Sequence, residues 1–457
     1  MVVPARPDRN SAPSHRGRGL ALVIARIGVA LVLAVASASI PAAAASPASP
    51  SLRLGVIGAL TGPKAPYGIS HLQGARLAAD AINAGGGITD RPLELVEADD
   101  RGEQGEAGPL AVRLIDGDGV LALIGSVDSG ITHVLSMIAV KRHVPHLTCV
   151  ATDPSLTRAG SPWTFRTLAD DERQAAALAG FLARRQGVRR LSLIAGSSRY
   201  GRMGARAFAR RARGLGLLVD GPHLLSADEG AWPATVTAAA ATRPEVIVLW
   251  MLSREGKDAA TLLRQGGYDG LLAGADGLAS PDFYASGLPA VEGTVITQPY
   301  DAEHPDPGNQ RFRRAFRERF GRDPDSFAAH AFDTVQLLAA AMARSDLTRA
   351  GIRDALAALP PLTGVTGRLA LDATGNDTRK VALARCQAGR LVTVPAAGVS
   401  ETGATSATAW PEESDTGASG PASWRGSGVG PSVGGAPDPG APSWRGSGVG
   451  PSVGGTK

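Results

Sequence analysis

Between residues 51 and 300 the chain alternates short, continuous apolar runs with longer segments whose apolar residues recur at helical spacing. SLRLGVIGAL at 51–60 reads as a buried strand, and GARLAADAINA at 74–84 reads as a helix with Ala75, Ala78, Ala79 and Ile82 on one face. The glycines at 85–87 stop that helix. PLELVEADD at 92–100 is the next strand. A helix over 105–116 leads to VLALIG at 120–125, and a helix over about 130–142 leads to VPHLTCV at 144–150. The strand runs stay apolar instead of alternating with polar residues. Strands of that kind are buried on both faces, as in a parallel sheet lying between helices.

The pattern then restarts. DDERQAAALAGFLARRQG at 170–187 predicts a helix and RRLSLIAG at 189–196 a strand. The Arg-rich segment after 201 predicts a helix, followed by a strand at 217–221. PEVIVLWM at 244–251 is the strongest strand signal in the chain. GKDAATLLRQGGY predicts a helix, LLAGADG a strand and loop, and VEGTVITQPY at 291–300 another strand. Helices at 309–320, 325–344 and 348–358 precede TGVTGRLALDATGN, which with KVALARCQAGRLVTVP reads as a β-hairpin ending the core. Two α/β units of about 120 to 180 residues each are the natural partition.

The ends of the chain follow neither pattern. Arg6, Arg9, Arg16 and Arg18 form a basic leader, and an apolar run follows Arg26. Ala42 to Ala45 then offer small-residue cleavage sites, so residues 1–50 read as an export signal with a short leader. Arg26 shortens the apolar run well below the roughly 20 residues needed to span a bilayer, which argues against a membrane anchor. No cysteine follows the run, so no lipid attachment is expected there. From about Ala396 the composition shifts to Gly, Ser, Pro, Ala and Thr. SWRGSGVGPSVGG occurs at 423–435 and again at 443–455. This tail has too little apolar surface to offset backbone ordering and reads as disordered. Its Trp-Arg pairs at Trp424 and Trp444 fit either a surface-retaining tail or a duplicated linker.

Composition narrows the function classes. The formal charge is +5 over 457 residues. The leader holds five arginines against one aspartate, and the tail three cations against five carboxylates, which leaves +3 on residues 51–395. That is too mild for a nucleic-acid partner, and the arginines of 202–213 and 311–322 read as solvated helix faces. Two cysteines exclude a disulfide-stapled domain and a Cys-rich metal site. The eight histidines form no ligand pair such as HExxH, so no metal is expected. GVIGALTGPKAPYG at 55–68 is neither a dinucleotide nor a P-loop motif, and no cofactor is implied. GSVDSG at 125–130 does not place its serine as a nucleophile elbow does. No nucleophile–base set stands at meaningful spacing, so an enzyme is not expected. Polar loops do recur at strand ends, at 61–68, 125–130, 149–154 and 274–277. Open parallel sheets bind ligands there. Ser129 and Thr152 hydroxyls could hold a carboxylate and Asp276 an ammonium group, which hints at an amino acid-like solute.

Fragments in order along 51–395 carry a resemblance. GVIGALTGPKAPYG, GARLAADAINAGGGI, VPHLTCVATDPSLT, FRTLADDERQ, Tyr200-Gly201, GADGLASPDF, VEGTVITQPY and TGVTGRLALD resemble the solute-binding proteins of branched-chain amino acid (Leu/Ile/Val)-type ABC transporters. The resemblance implies the type I periplasmic-binding-protein fold, with two doubly wound parallel-sheet lobes joined by three crossovers and an interlobe ligand cleft. Lobe 1 would hold 51–168 and about 296–359, and lobe 2 would hold 169–295 and about 360–395. By the same resemblance Ser129 meets the ligand carboxylate, and Val150 and Thr152 contact the ligand beside it. Tyr200 is the opposite-lobe aromatic, Asp276 meets the α-ammonium, and Trp250 or Met251 walls the pocket. The implied function is non-catalytic capture of an amino acid or related small carboxylate for import, with a membrane permease as partner and a periplasmic or extracellular, monomeric protein. Asp276 is a methylene shorter than the family's common Glu, so the solute itself stays open among amino acids, amides and small aromatic acids. Cys149 and Cys386 would sit in different lobes and stay unpaired. A small-molecule sensory module and a wall-associated interaction protein acting through its tail are the alternative functions.

Overall fold

The computed structural model describes residues 50–158 and 160–395, so the leader over 1–49 and the tail over 396–457 lie outside the described residues. The first apolar run forms β1 (Leu52–Gly58), buried at every position except Arg53. It pairs with β2 (Leu93–Asp99) and β3 (Ala122–Ile124), and the sheet continues through β4 (His146–Thr148) and β5 (Thr164–Arg166), in the order β2-β1-β3-β4-β5. Every pairing is parallel, with Leu52 opposite Leu93 and Leu54 opposite Ala122. Parallel neighbours need crossover connections. Here they include α1 (Ala65–Ala84), α2 (Gln104–Val112) and α3 (Ser129–Arg142). A proline in its first turn and Gly85 after its last residue delimit α1, the usual chemistry of helix ends.

The second round of the pattern builds α4 (Asp171–Arg184), β6 (Arg190–Gly196), α5 (Arg199–Gly214), β7 (Leu218–Leu225), α6 (Trp232–Ala240), β8 (Val246–Trp250), α7 (Ser253–Gln265), β9 (Leu271–Gly274) and β10 (Val295–Gln298). The chain then returns to cover the first sheet with α8 (Pro307–Phe320), α9 (Ser326–Met342) and α10 (Arg349–Ala357). Val335, Leu338 and Ile352 from these helices share a core with Leu52 and Leu54 of β1.

The end of the core differs from the single hairpin read in the sequence. β11 (Leu362–Gly364) and β12 (Gly367–Leu369) form one small hairpin, and β13 (Ala382–Gln387) and β14 (Arg390–Val394) form another. The second hairpin adds antiparallel to β10, completing the order β14-β13-β10-β9-β8-β6-β7. The first is pinned elsewhere, because the buried Asp333 carboxylate on α9 accepts the amides of Val365 and Thr366 at 2.8 and 2.9 Å. Arg166 on β5 marks where the chain leaves the first sheet for good. Its amide donates to the Gly375 carbonyl, and its fully buried guanidinium donates to Asn376 Oδ1 at 2.8 to 2.9 Å. The chain therefore passes between the two sheets three times, after β5, after β10 and again before β13. This is the two-sheet α/β architecture expected from the alternation. Cys149 and Cys386 are both buried and free.

Helices α1 and α9 pack tightly because Gly74 has no side chain. A Cβ there would lie 2.0 Å from the Ala328 carbonyl oxygen. Gly74→Ala should force the helices apart at a net cost of about 1–3 kcal/mol, despite the roughly 1 kcal/mol that Ala gains over Gly in a helix. A lowered thermal midpoint of the full chain is the expected result, and an unchanged midpoint would show that the two helices are free to separate.

Candidate ligand-binding site

The strand ends of both sheets converge where α1, α3, α5 and α9 begin. On the first-sheet side, Asp128 caps α3, accepting the amides of Gly130 and Ile131 at 2.8 and 3.1 Å and the Lys64 ammonium at 2.5 Å. Ser129 is the first residue inside the helix, so the capping role belongs to its neighbour. Val150 and Thr152 follow β4 in a buried turn. The Thr152 carbonyl accepts the Asp171 amide at 2.9 Å. Its hydroxyl is fully buried.

On the second-sheet side, Ser198 caps α5 by accepting the Gly201 amide at 3.2 Å, which sets Tyr200 in the first turn. Gly201 has to be glycine, since a Cβ there would lie 2.1 Å from the Gly196 carbonyl. The Tyr200 hydroxyl donates to Asp276 Oδ1 at 2.8 Å and accepts the Gly277 amide at 2.9 Å. Gln174 on α4 accepts the Asp276 amide at 3.3 Å and the Thr297 hydroxyl at 2.5 Å, fastening the loop after β9 to α4.

Two carboxylates at this junction have no ion-pair partner among the described residues. Asp171 is completely buried beside the Thr152 hydroxyl. Burial and the nearby Asp276 charge push it well above the usual carboxylate range, while the Thr152 hydroxyl pulls the other way. Burial likewise raises Asp276 to about 6, against the Tyr200 and Gln174 hydrogen bonds. Asp170, not Asp171, caps α4, accepting the Arg173 amide at 2.9 Å.

A cavity of about 20 Å³ lies between the two sides. Ser129, Val150, Tyr200 and Asp276 all line it, with Tyr67, Leu252 and Phe327 as its large apolar walls. Thr152 stands behind this surface, beside Asp171. Trp250 does not reach it. Its ring is fully buried against Phe208, with ring centroids 5.9 Å apart, in the space left by Gly204, where a Cβ would meet the indole at 1.8 Å. Trp250 ends β8 with its side chain turned to α5. Leu252, beyond the end of the strand, supplies the wall instead. Met251 also points into the core rather than the cavity. Asp171, Tyr67 and Phe327 were not singled out from the sequence. The paired aspartates of DDER carried a usable signal for Asp171, since only one of two adjacent residues can cap a helix.

The sequence profile of the family of periplasmic binding proteins matches residues 51–390. The chain belongs to that family. Its members are non-catalytic solute-binding proteins, in keeping with the absence of an enzymatic motif and with the expected export. A Leu/Ile/Val-binding protein homolog of Brucella melitensis biotype 1 is 28% identical over 333 residues, covering 72% of this chain and 90% of that protein. A leucine-binding protein of Thermotoga maritima superposes with a TM-score of 0.71 at 25% identity, over 75% of this chain and 97% of that one. An ABC transporter substrate-binding protein of Desulfitobacterium hafniense, solved in complex with Leu, gives 0.65 at 27% identity, over 75% and 100%.

For this periplasmic binding protein, the raised Asp276 pKa has a stability consequence. A carboxyl group that holds its proton more tightly when folded makes the native state lose stability as pH rises from about 4 through about 6. Asp276→Asn removes this loss while keeping an acceptor for Tyr200. At pH 7 the ligand-free variant should be more stable by about 3 kcal/mol, with the difference gone below pH 4. Urea unfolding at both pH values checks this, and a variant less stable than wild type at pH 7 would contradict it.

Proposed function

We propose that the protein captures an amino acid-like solute between its two lobes for delivery to the membrane permease of an ABC importer. The observation that carries this reading is the pair of buried carboxylates, Asp171 and Asp276, with no ion-pair partner of their own. A cationic group brought to them would offset the cost of burying their charge, and it would do so only when bound. Tyr200 holds Asp276 in place for that contact. Across the cavity, the Ser129 hydroxyl and the Val150 and Thr152 backbone offer hydrogen bonds to a carboxylate. Tyr67, Leu252 and Phe327 then receive the side chain of the solute. The cavity is about the size of one water molecule, so solute entry requires the lobes to part.

Contacts between the sides would favour the closed form once the solute is in place. Tyr67 on α1 accepts the Ser253 amide at 2.7 Å and donates to the Gly277 carbonyl at 3.3 Å. Arg199 on α5 reaches Asp153 Oδ2 at 2.5 Å and Ser155 Oγ at 3.1 Å, with His133 also on Asp153 at 3.0 Å. These partners hold Asp153 far below the usual carboxylate range despite its burial. We further assign the hairpin β11–β12 to lobe 1, with the last crossover after Asn376. Each copy holds a complete cleft, so a monomer suffices for capture.

Titration calorimetry on the full chain, stripped of bound solute, should reveal saturable binding of at least one α-amino acid. The matching N-acetyl derivative should bind far more weakly, and a chain blind to every amino acid and small carboxylate would end this reading. Because Asp276 must be ionised to meet an ammonium group, affinity should be constant above about pH 6 and fall up to about tenfold per unit below it. An affinity independent of pH between 4.5 and 7 would remove Asp276 from the site. Arg199→Gln should weaken binding by a factor on the order of ten, mainly through faster release. Stopped-flow dissociation rates test this, and unchanged release would show that the Arg199–Asp153 pair does not hold the closed form.

A further inference from the structure

A second cavity lies apart from the interlobe one. It measures about 570 Å³ and lies between the start of α8, one face of α9 and the hairpin β11–β12. That volume falls within the range of small-molecule sites. None of its lining residues lines the cavity at Asp276.

The hairpin is held to α9 through its turn. Asp333 binds the amides of Val365 and Thr366 in its turn, and Gly364 allows the close approach, since a Cβ there would lie 2.4 Å from the Asp333 carboxylate. Leu362 and Leu369 of the hairpin and Leu337 and Ala340 of α9 line the space. The walls therefore carry apolar side chains beside polar ones.

Their polar groups are unequal. Asp306 is spent on capping α8, accepting the amides of Gly308 and Asn309 at 2.7 and 3.1 Å. Asp333 is spent on the hairpin turn. Arg311 and Gln336 have no hydrogen-bond or ion-pair partner among the described residues, although Arg313, Arg317 and Arg319 on the same helix each hold a carboxylate. The groups left to receive a ligand include a guanidinium and an amide. A guanidinium and an amide together donate to a carboxylate, and the slot accepts a hydrocarbon chain.

We propose that this cavity is a second binding site, separate from the interlobe cleft, for an amphiphilic monocarboxylate whose head group meets Arg311 and Gln336 and whose chain lies against Leu337, Leu362 and Leu369. The site is independent of the solute captured at Asp276.

Sodium octanoate is the probe, with octylamine as the head-group control, each titrated calorimetrically into the full chain. Octanoate should bind saturably with one site, and octylamine should not. Arg311→Gln should weaken octanoate at least tenfold by removing the charge, and Ala340→Met should do so by filling the slot. Both variants should keep the thermal midpoint of the wild type, and Arg311→Gln carries the test if Ala340→Met folds poorly. Asp276→Asn should bind octanoate as the wild type does. Equal octanoate affinity in wild type and Arg311→Gln would overturn the proposal. So would the absence of saturable binding at millimolar octanoate, and so would loss of octanoate in Asp276→Asn, which would place it in the interlobe cleft.

Discussion

The protein keeps two carboxylates, Asp171 and Asp276, buried without a cation, and much of the surrounding structure exists to make that tolerable. Buried charge is costly unless paired. Both groups respond by holding their protons more tightly. Tyr200 and Gln174 take up part of the unmet hydrogen-bonding capacity around Asp276. The starts of α4 and α5 and the loop after β9 are thereby locked to one another. A site strained in this way is stable only because large apolar cores lie beneath it on both sheets.

The same logic separates the interior of each lobe from the surface between them. Within a sheet, the strands and helices meet through apolar side chains such as Leu54, Val335 and Leu338. Across the cleft the prominent contacts are polar. They are the Tyr67 hydroxyl to Ser253 and Gly277 and the guanidinium of Arg199 to Asp153. Hydrogen bonds of this kind exchange readily with water when the surfaces part, whereas an apolar seam would hold the lobes shut. Cys149 and Cys386 remain free, so no covalent link restrains the three crossover segments.

Much of the fold was legible because burial on both faces leaves a plain mark, the unbroken apolar run. Strand β8 is the clearest case, with all five residues buried. The late hairpin was misjudged because pattern alone does not say which surface a short strand joins. That was decided by Asp333, far away in sequence, reaching the turn at Val365 and Thr366. Among the site residues, Ser129, Val150, Tyr200 and Asp276 do meet at one cavity. Trp250 looked like a pocket wall from its place at a strand end, but the gap at Gly204 draws its ring into the core.

Sequence by itself determined the alternation of strands and helices, the two parallel-sheet units and the strand-end loops that carry polar groups, because each depends on local spacing and on which residues shun water. Tertiary structure alone decided which of those loops face each other. It set the facing of Trp250 and Leu252, brought Tyr67 and Phe327 in from helices distant in the chain, and buried Asp171 beside Thr152 and Asp276. Those outcomes depend on side-chain direction and on contacts between segments far apart along the chain, and neither is written in the spacing of residues along it.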